Sequence, residues 1–290
     1  MEETPGGFRY ITEVICMRKK CLLRLLLLAL MVLAAVGLDQ RMIVRRYTIE
    51  TDKLTEPIRL AVLTDYHGCD YGDGLIPAIA SLQPDAVLLV GDMFSADGDP
   101  NDELVFFVKL AEIADTYYVT GNHEYWEYDV PSLLQLVDKA GVTVLDQRAA
   151  ELTVDGQTLN ICGIPDPYAY VDTSVALEQA SSNINHEAYT ILLAHRPELI
   201  ETYAATQSFD LVLSGHAHGG QVRIPFLVNG LCAPNQGWFP KYAGGRYEVD
   251  GTTMIVSRGL STQRQMGVPR IFNRPELVLV SSVPLHPACD

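Results

Sequence analysis

The sequence predicts an α/β domain of parallel strands with covering helices, preceded by an N-terminal membrane or signal segment. Three observations carry this. From residue 58 to 145, short apolar runs of strand character alternate with helix-like stretches. Most runs end at an acid, asparagine or histidine, and α/β sheets place their ligand sites at such strand ends. Ahead of them stands one long apolar stretch behind a basic patch.

That stretch comes first in the chain. Arg18, Lys19, Lys20 and Arg24 precede an uninterrupted apolar run from Leu25 to Leu38. Its 14 residues fall short of the roughly 20 a span needs and match the apolar region of a signal peptide. With Arg24 snorkelling to the headgroups, Leu22 to Leu38 becomes a signal anchor. The run is apolar on every face, which argues against a buried core helix, and Ala35 and Gly37 leave cleavage open. Met17-Arg18-Lys19-Lys20 itself reads as a signal start. Residues 1–46 are therefore expected to form a basic, anchoring or exporting region, and 47–290 one domain outside the cytoplasm.

Arg46 to Glu56 reads as a polar connector. Ile58 to Thr64 is expected to be a strand ending at Asp65, Leu75 to Leu82 a helix, and Asp85 to Val90 a buried strand ending at Gly91-Asp92. Glu103 to Ile113 has helical periodicity with Asn101 or Asp102 as its cap. Tyr117 to Thr120 runs as a strand into Gly121-Asn122-His123-Glu124. Pro131 to Ala140 is a helix closed by Gly141, and Val142 to Leu145 is the next strand. Leu152 to Val154 and Leu159 to Cys162 flank Asp155-Gly156, a hairpin turn. Ala188 to Leu193 leads to His195, Leu211 to Leu213 leads to Gly215-His216, and strands at Met254 to Val256 and Glu276 to Ser281 complete the domain.

Charge is unevenly divided. Eight Lys/Arg against four acids give residues 1–46 a charge of +4, which leaves −19 of the total −15 on the remainder. A body this acidic has no basic stripe for a phosphate backbone, so nucleic acid is excluded as main partner. The six cysteines (Cys16, Cys21, Cys69, Cys162, Cys232, Cys289) contain no CxxC pair, which argues against a structural zinc site. One disulfide among the last four is open in an exported domain.

Five of the seven histidines fall in short blocks: Asp65-Tyr66-His67, Gly91-Asp92, Gly121-Asn122-His123-Glu124, His195, and Gly215-His216-Ala217-His218. Taken singly, each block is as readily a turn or a core histidine. Taken together, they hold hard oxygen donors and imidazoles enough for two divalent metals. Gly-His-x-His brings two imidazoles into one glycine-flanked turn, and the mixed set suits Mn, Fe or Zn better than Mg alone. Arg196, beside His195, fits either a phosphate or an acidic partner.

The order Asp-x-His, Gly-Asp, Gly-Asn-His-Glu, His, Gly-His-x-His resembles the calcineurin-like metallophosphoesterase superfamily from Ile58 to about Ser282. The block Gly215 to Pro225 and the stretch Ser257-Arg258-Gly259-Leu260 resemble its bacterial, membrane-anchored branch, which includes phosphodiesterases and UDP-diacylglucosamine hydrolases. The resemblance implies a four-layer α-β-β-α sandwich. It implies that Asp65, His67 and His218 hold one metal, that Asn122, His195 and His216 hold the other, and that Asp92 bridges them. Such a pair, roughly 3.5–4 Å apart, grips one phosphate and activates a shared water for in-line attack. Asn122 then helps balance phosphoryl charge, His123 protonates or orients the leaving group, and Glu124 supports that histidine or a ligand. Purple acid phosphatases carry a tyrosine ligand three residues after the bridging aspartate; Ser95 stands there in this chain, so a tyrosinate-bound ferric centre is not expected.

The resulting expectation is a dinuclear phosphoesterase cleaving phosphodiester or pyrophosphate bonds of a membrane-associated substrate, lipid or nucleotide-lipid. The rivals are a phosphomonoesterase or phosphoprotein phosphatase, and a non-catalytic relative that would lack ligands or His123. Phe226, Leu227, Trp238, Phe239, Tyr242 and Tyr247 offer either an apolar wall for an acyl chain or nucleobase, or packing under a loop.

Overall fold

A computed structural model of the chain describes residues 6–95, 98–262 and 267–285, with side chains from residue 17 onward. Its contacts separate Met1–Asp39 from Gln40–Asp290.

In the first unit, α1 (Gly6–Gly37) is a single helix. Its stretch Met17–Gly37, 21 residues, is long and apolar enough to cross a membrane, since a rise of 1.5 Å per residue carries it about 31 Å against a hydrocarbon core of about 30 Å. Leu22, Leu25, Met31 and Val36 are all exposed, so the helix packs no apolar face of its own unit.

The second unit runs β1 (Ile43–Thr51), β2 (Ile58–Leu63), α2 (Leu75–Ser81), β3 (Ala86–Val90), α3 (Pro100–Ala111), β4 (Asp115–Val119), α4 (Asn122–Glu127), α5 (Val130–Lys139) and β5 (Thr143–Val144). It continues with β6 (Arg148–Val154), β7 (Gln157–Gly163), α6 (Thr173–Ser181), β8 (Thr190–Leu193), α7 (Ile200–Ala205), β9 (Leu211–Ser214), β10 (Cys232–Ala233), β11 (Gly237–Trp238), β12 (Gly245–Val249), β13 (Thr252–Val256) and β14 (Glu276–Pro284). One six-stranded sheet has the order β1-β14-β2-β3-β4-β5 and the other β12-β13-β9-β8-β7-β6.

Three apolar layers explain the stacking. Leu60, Val62, Leu88 and Val90 of the first sheet meet Leu159, Ile161, Ile191 and Leu213 of the second in one buried cluster. On the outer face of the first sheet, Val87 and Leu89 pack with Ile79, Phe107 and Val137 from α2, α3 and α5. On the outer face of the second, Leu192 and Val212 pack with Leu177 and Tyr203 from α6 and α7. The inner strands are buried on both faces, and so read as continuous apolar runs rather than alternating ones. The result is the four-layer α-β-β-α sandwich.

The polar connector expected at Arg46 to Glu56 is mostly strand. β1 pairs in parallel with β14 from Ile43↔Glu276 to Thr51↔Pro284. Its inward face reads Ile43, Arg45, Tyr47, Ile49, and the arginine in that row conceals the period of two. The cap expected at Asn101 or Asp102 lies upstream: Asp99 accepts from the Asn101 amide, and Pro100 takes the first helical position, where its missing N–H costs nothing. The Asp155-Gly156 hairpin forms, with both residues at positive φ (49° and 80°) as a type I′ turn requires. Cys69, Cys162 and Cys232 are free thiols, and Cys289 lies outside the described residues.

Candidate metal centre

The histidine-bearing blocks converge at the carboxyl ends of parallel strands. β2 leads to Asp65 and His67, β3 to Asp92, and β4 to Asn122 and His123; these three strands are parallel neighbours. β8 and β9, parallel in the other sheet, lead to His195 and to His216 and His218. The cluster thus forms where the carboxyl ends of strands from both stacked sheets meet.

Asp65, His67, Asp92, Asn122, His195, His216 and His218 are all buried. Asp65, His67, Asp92 and His218 offer ligand atoms within 4.8 Å of one another, as do Asp92, His195 and His216. Asp92 belongs to both groups. Its Oδ2 lies 3.2 Å from His195 Nε2 and 3.7 Å from His67 Nε2, while Asp65 Oδ1 lies 3.5 Å from His218 Nε2.

The backbone is bent to achieve this. Asp65, His67, Asp92, His216 and His218 all have φ between 46° and 64°. For residues with a Cβ this is the left-handed region, costing about 1–3 kcal/mol each and persisting where the surroundings impose it. Those surroundings are visible: the Asp65 and His67 amides donate to Gly91 O and Asp92 O at 3.0 and 3.1 Å, and the Ser261 amide donates to Asp65 O at 2.7 Å. Close approach also demands glycine at Gly91, where a Cβ would stand 2.5 Å from His195 Nδ1.

Outer contacts fix the orientation of the donors. Thr64 Oγ1 and the His216 amide donate to the Asp65 carboxylate at 2.6 and 2.9 Å, and the His123 amide donates to Asp92 Oδ1 at 2.9 Å. His195 Nδ1 lies 2.9 Å from Val90 O, a carbonyl that can only accept, so that nitrogen carries the proton and Nε2 faces the cluster. Asn235 Oδ1 receives Arg196 Nη1 at 2.6 Å, and the two atoms stand 2.9 and 3.1 Å from His216 Nε2, so they hold that edge of the ring.

The donors fit a cation. His67 Nε2, Asn122 Oδ1 and His195 Nε2 are buried with no hydrogen-bond partner. Each such atom costs about 1–3 kcal/mol when left bare, a penalty that metal ligation removes. Without a metal the electrostatics are perturbed in opposite directions. Burial pushes His67 down to about 4 and holds His216 and His218 well below the usual histidine range. Burial opposes charge on His195 too, but Asp92 and Asp65 outweigh it and carry the ring up to about 10. A proton there stands where a metal ion would. Two divalent ions sharing Asp92 match this donor set of oxygens and imidazole nitrogens.

A family model for calcineurin-like phosphoesterases matches residues 58–220, more than half of the chain. The chain belongs to that family. A Helicobacter pylori protein described as an uncharacterized metallophosphoesterase is 30% identical over 255 residues, 84% of this chain and 65% of its own length. A Bos taurus transmembrane protein with metallophosphoesterase domain is 28% identical over 239 residues, 76% of this chain and 52% of its own length. This family member therefore spans less than two thirds of those relatives. Among solved structures, the Haemophilus influenzae NAD nucleotidase is similar at a TM-score of 0.47 and 14% identity, covering 74% of this chain and 49% of that one.

Within this phosphoesterase chain, Glu124 acts on the backbone rather than on His123. Its carboxylate accepts from the Gly121, Asp92 and Met93 amides at 2.6, 3.0 and 2.8 Å, locking the Gly91-Asp92 turn to the start of α4. Burial and then Asp92 push it up to about 7. His123 is half-buried, its ring edge-on to His67 at 4.4 Å and 4.8 Å from Trp126, which in turn meets Tyr168 at 5.4 Å. Arg196 takes the acidic partner: Nε and Nη2 bind the Asp166 carboxylate at 2.5 and 3.1 Å. A cleft of about 460 Å³ beside the cluster is lined by Tyr168, Tyr170, Arg196, Glu198 and Asn235. Ser95, in the position of the absent tyrosine, donates its amide to Glu103.

Sequence reasoning missed Asp166 and Asn235, whose partners Arg196 and His216 lie 30 and 19 positions away. Neither carries a motif, and loop residues leave no periodic signal. The aromatic wall divides: Phe226, Trp238 and Phe239 are exposed, while Tyr242 is packed in the core beneath.

Proposed function

We propose that this chain hydrolyses phosphodiester or pyrophosphate bonds with two divalent ions, one held by Asp65, His67 and His218, the other by Asn122, His195 and His216, with Asp92 between them. The observation that carries the reading is the set of unpartnered donor atoms, buried and converging from both sheets. Bound divalent ions supply Lewis acidity toward a phosphoryl oxygen and lower the pKa of water.

The chain's own groups do the rest. His123, at the mouth of the cluster, holds the proton for the leaving oxygen, and its amide bond to Asp92 fixes it against that carboxylate. Trp126 and Tyr168 extend its ring surface into the cleft, where a leaving group lies. A diester is favoured over a monoester because Arg196, the guanidinium beside the cluster, is neutralised by Asp166 and offers little to a second phosphoryl charge. Mn, Fe or Zn fits the donors. The helix Met17–Gly37 supports membrane anchoring; a substrate at the bilayer and a folded unit outside the cytoplasm complete the proposal.

The test is turnover of bis-(p-nitrophenyl) phosphate against p-nitrophenyl phosphate by the full chain with Mn²⁺. Faster diester cleavage is expected. Preference for the monoester would replace the reading with a phosphomonoesterase, and no turnover with any divalent metal would remove the enzyme reading.

A further inference from the structure

Away from the metal cluster, a second site combines exposed apolar surface with uncompensated positive charge. The segment Ile224-Pro225-Phe226-Leu227-Val228 forms a tight finger, closed by Ile224 N to Val228 O at 3.0 Å and Val228 N to Ile224 O at 2.9 Å. At its tip Phe226 is fully exposed and Leu227 is 82% exposed. A cleft of about 560 Å³ at its base is lined by Arg45, Arg223 and Arg258 together with the finger.

Among the described residues, a single carboxylate serves these arginines. Glu276, itself buried, lies 3.3 Å from Arg258 Nε and 3.6 Å from Arg45 Nε. Among the described residues, the hydrogen bonds of Arg223 go to neutral oxygens, those of Gly219 and Asn229. Three guanidiniums and one carboxylate leave a net charge of +2 in a region of the chain whose overall charge is strongly negative. Burial, and after it the neighbouring Arg258, push Arg223 down to about 10 against the opposing pull of Glu276.

Each half of this arrangement is costly in water and favourable at one kind of surface. Exposed apolar tips mark interaction sites. Clustered arginines beside an apolar insertion match the anionic headgroup layer over the acyl boundary. An acidic protein partner would satisfy the arginines but leave the finger bare. Arg45 also follows the end of the membrane-type helix by eight residues in the chain.

We propose that the finger Ile224–Val228 inserts into the acyl boundary of an anionic membrane while Arg45, Arg223 and Arg258 hold the phosphate of a lipid headgroup. This site is independent of the hydrolytic reading, because it uses none of the residues placed in the metal cluster.

The test places the full chain in vesicles and reads Phe226→Trp fluorescence, corrected for Trp126 and Trp238 with the unsubstituted chain. In phosphatidylglycerol–phosphatidylcholine vesicles with brominated acyl chains, the added emission is expected to be blue-shifted and quenched. In phosphatidylcholine alone it is weakly quenched. Arg223→Gln lowers the ratio of quenched to unquenched emission about fivefold, and Arg223→Lys largely keeps it, as expected for a charge near an anionic surface. A melting curve shows that both variants fold; if Arg223→Gln fails it, Arg45→Gln takes its place. Unquenched emission in both vesicles would overturn insertion. Equal quenching in both would overturn the headgroup cradle. Stabilisation of detergent-solubilised chain by inorganic phosphate, without quenching in vesicles, would make this a small-anion pocket and overturn the lipid assignment.

Discussion

The two halves of the metal cluster are built to different standards of restraint. In the half of His195 and His216, each ring has a nitrogen with named partners, Val90 O for His195, and Asn235 Oδ1 and Arg196 Nη1 for His216. In the half of Asp65, His67 and His218, the carboxylate is fixed by Thr64 and by the His216 amide, but the nitrogen of His218 turned away from Asp65, Nδ1, is without a hydrogen-bond partner. One half is oriented before a cation arrives. In the other, the rings are positioned by their left-handed backbone and by packing, His67 lying 5.5 Å from His218 in a stacked pair. The expectation that follows is that the two positions differ in affinity for a cation, the better-oriented one filling first.

The largest effect comes from removing what the halves share. Asp92→Asn is expected to abolish diester turnover and to lower the content of both metals, measured by elemental analysis; a variant that keeps one full equivalent would show that Asp92 serves only one half. Next, His123→Ala should lower kcat by about 10²–10⁴-fold with metal content unchanged, and a loss of metal would make His123 a ligand instead. Smaller again, Asn235→Ala removes a hydrogen-bond partner of His216 and should weaken one metal by about 10–100-fold, leaving the other untouched in a two-site titration. Equal weakening of both would erase the asymmetry.

The smallest effect is read without metal, as stability against pH. Burial disfavours charge on His195, yet Asp92 and Asp65 raise it to about 10, above the roughly 6.5 of an unfolded histidine. A group raised on folding stabilises fully below its unfolded value and loses that contribution as pH climbs through the folded one. The chelated chain should therefore lose melting temperature between about pH 6.5 and 10, while the metal-loaded chain, with that proton displaced, should not follow. Parallel curves would mean that the proton and the cation do not share the position.

The cluster was more legible in the sequence than its supports. Asp65, Asp92, Asn122 and the histidines each follow a strand closely, so block order together with strand ends sufficed to bring them to one edge. Asp166 and Asn235 act across loops where no period exists. Glu124 stood in a readable block, but its bonds to the Asp92 and Met93 amides depend on how two loops meet in space. β1 was hidden by Arg45, a charge facing inward where an apolar residue would have revealed the alternation, and that same inward charge lines the arginine cleft.

The position of β14 has a consequence for how the molecule is made. It is the last strand of the described chain, yet it lies inside its sheet, between β1 and β2. A ribosome delivers β2, β3 and β4 long before the strand that must slot in beside them, so the nascent sheet waits with an open seam. Segment 257–261, which arrives with that late portion, also holds the turn at Asp65 through the Ser261 amide. Long-range closure of this kind is slow to nucleate. The turn at Asp65 thus gains its bond from Ser261 only after β2, β3 and β4 have long been made.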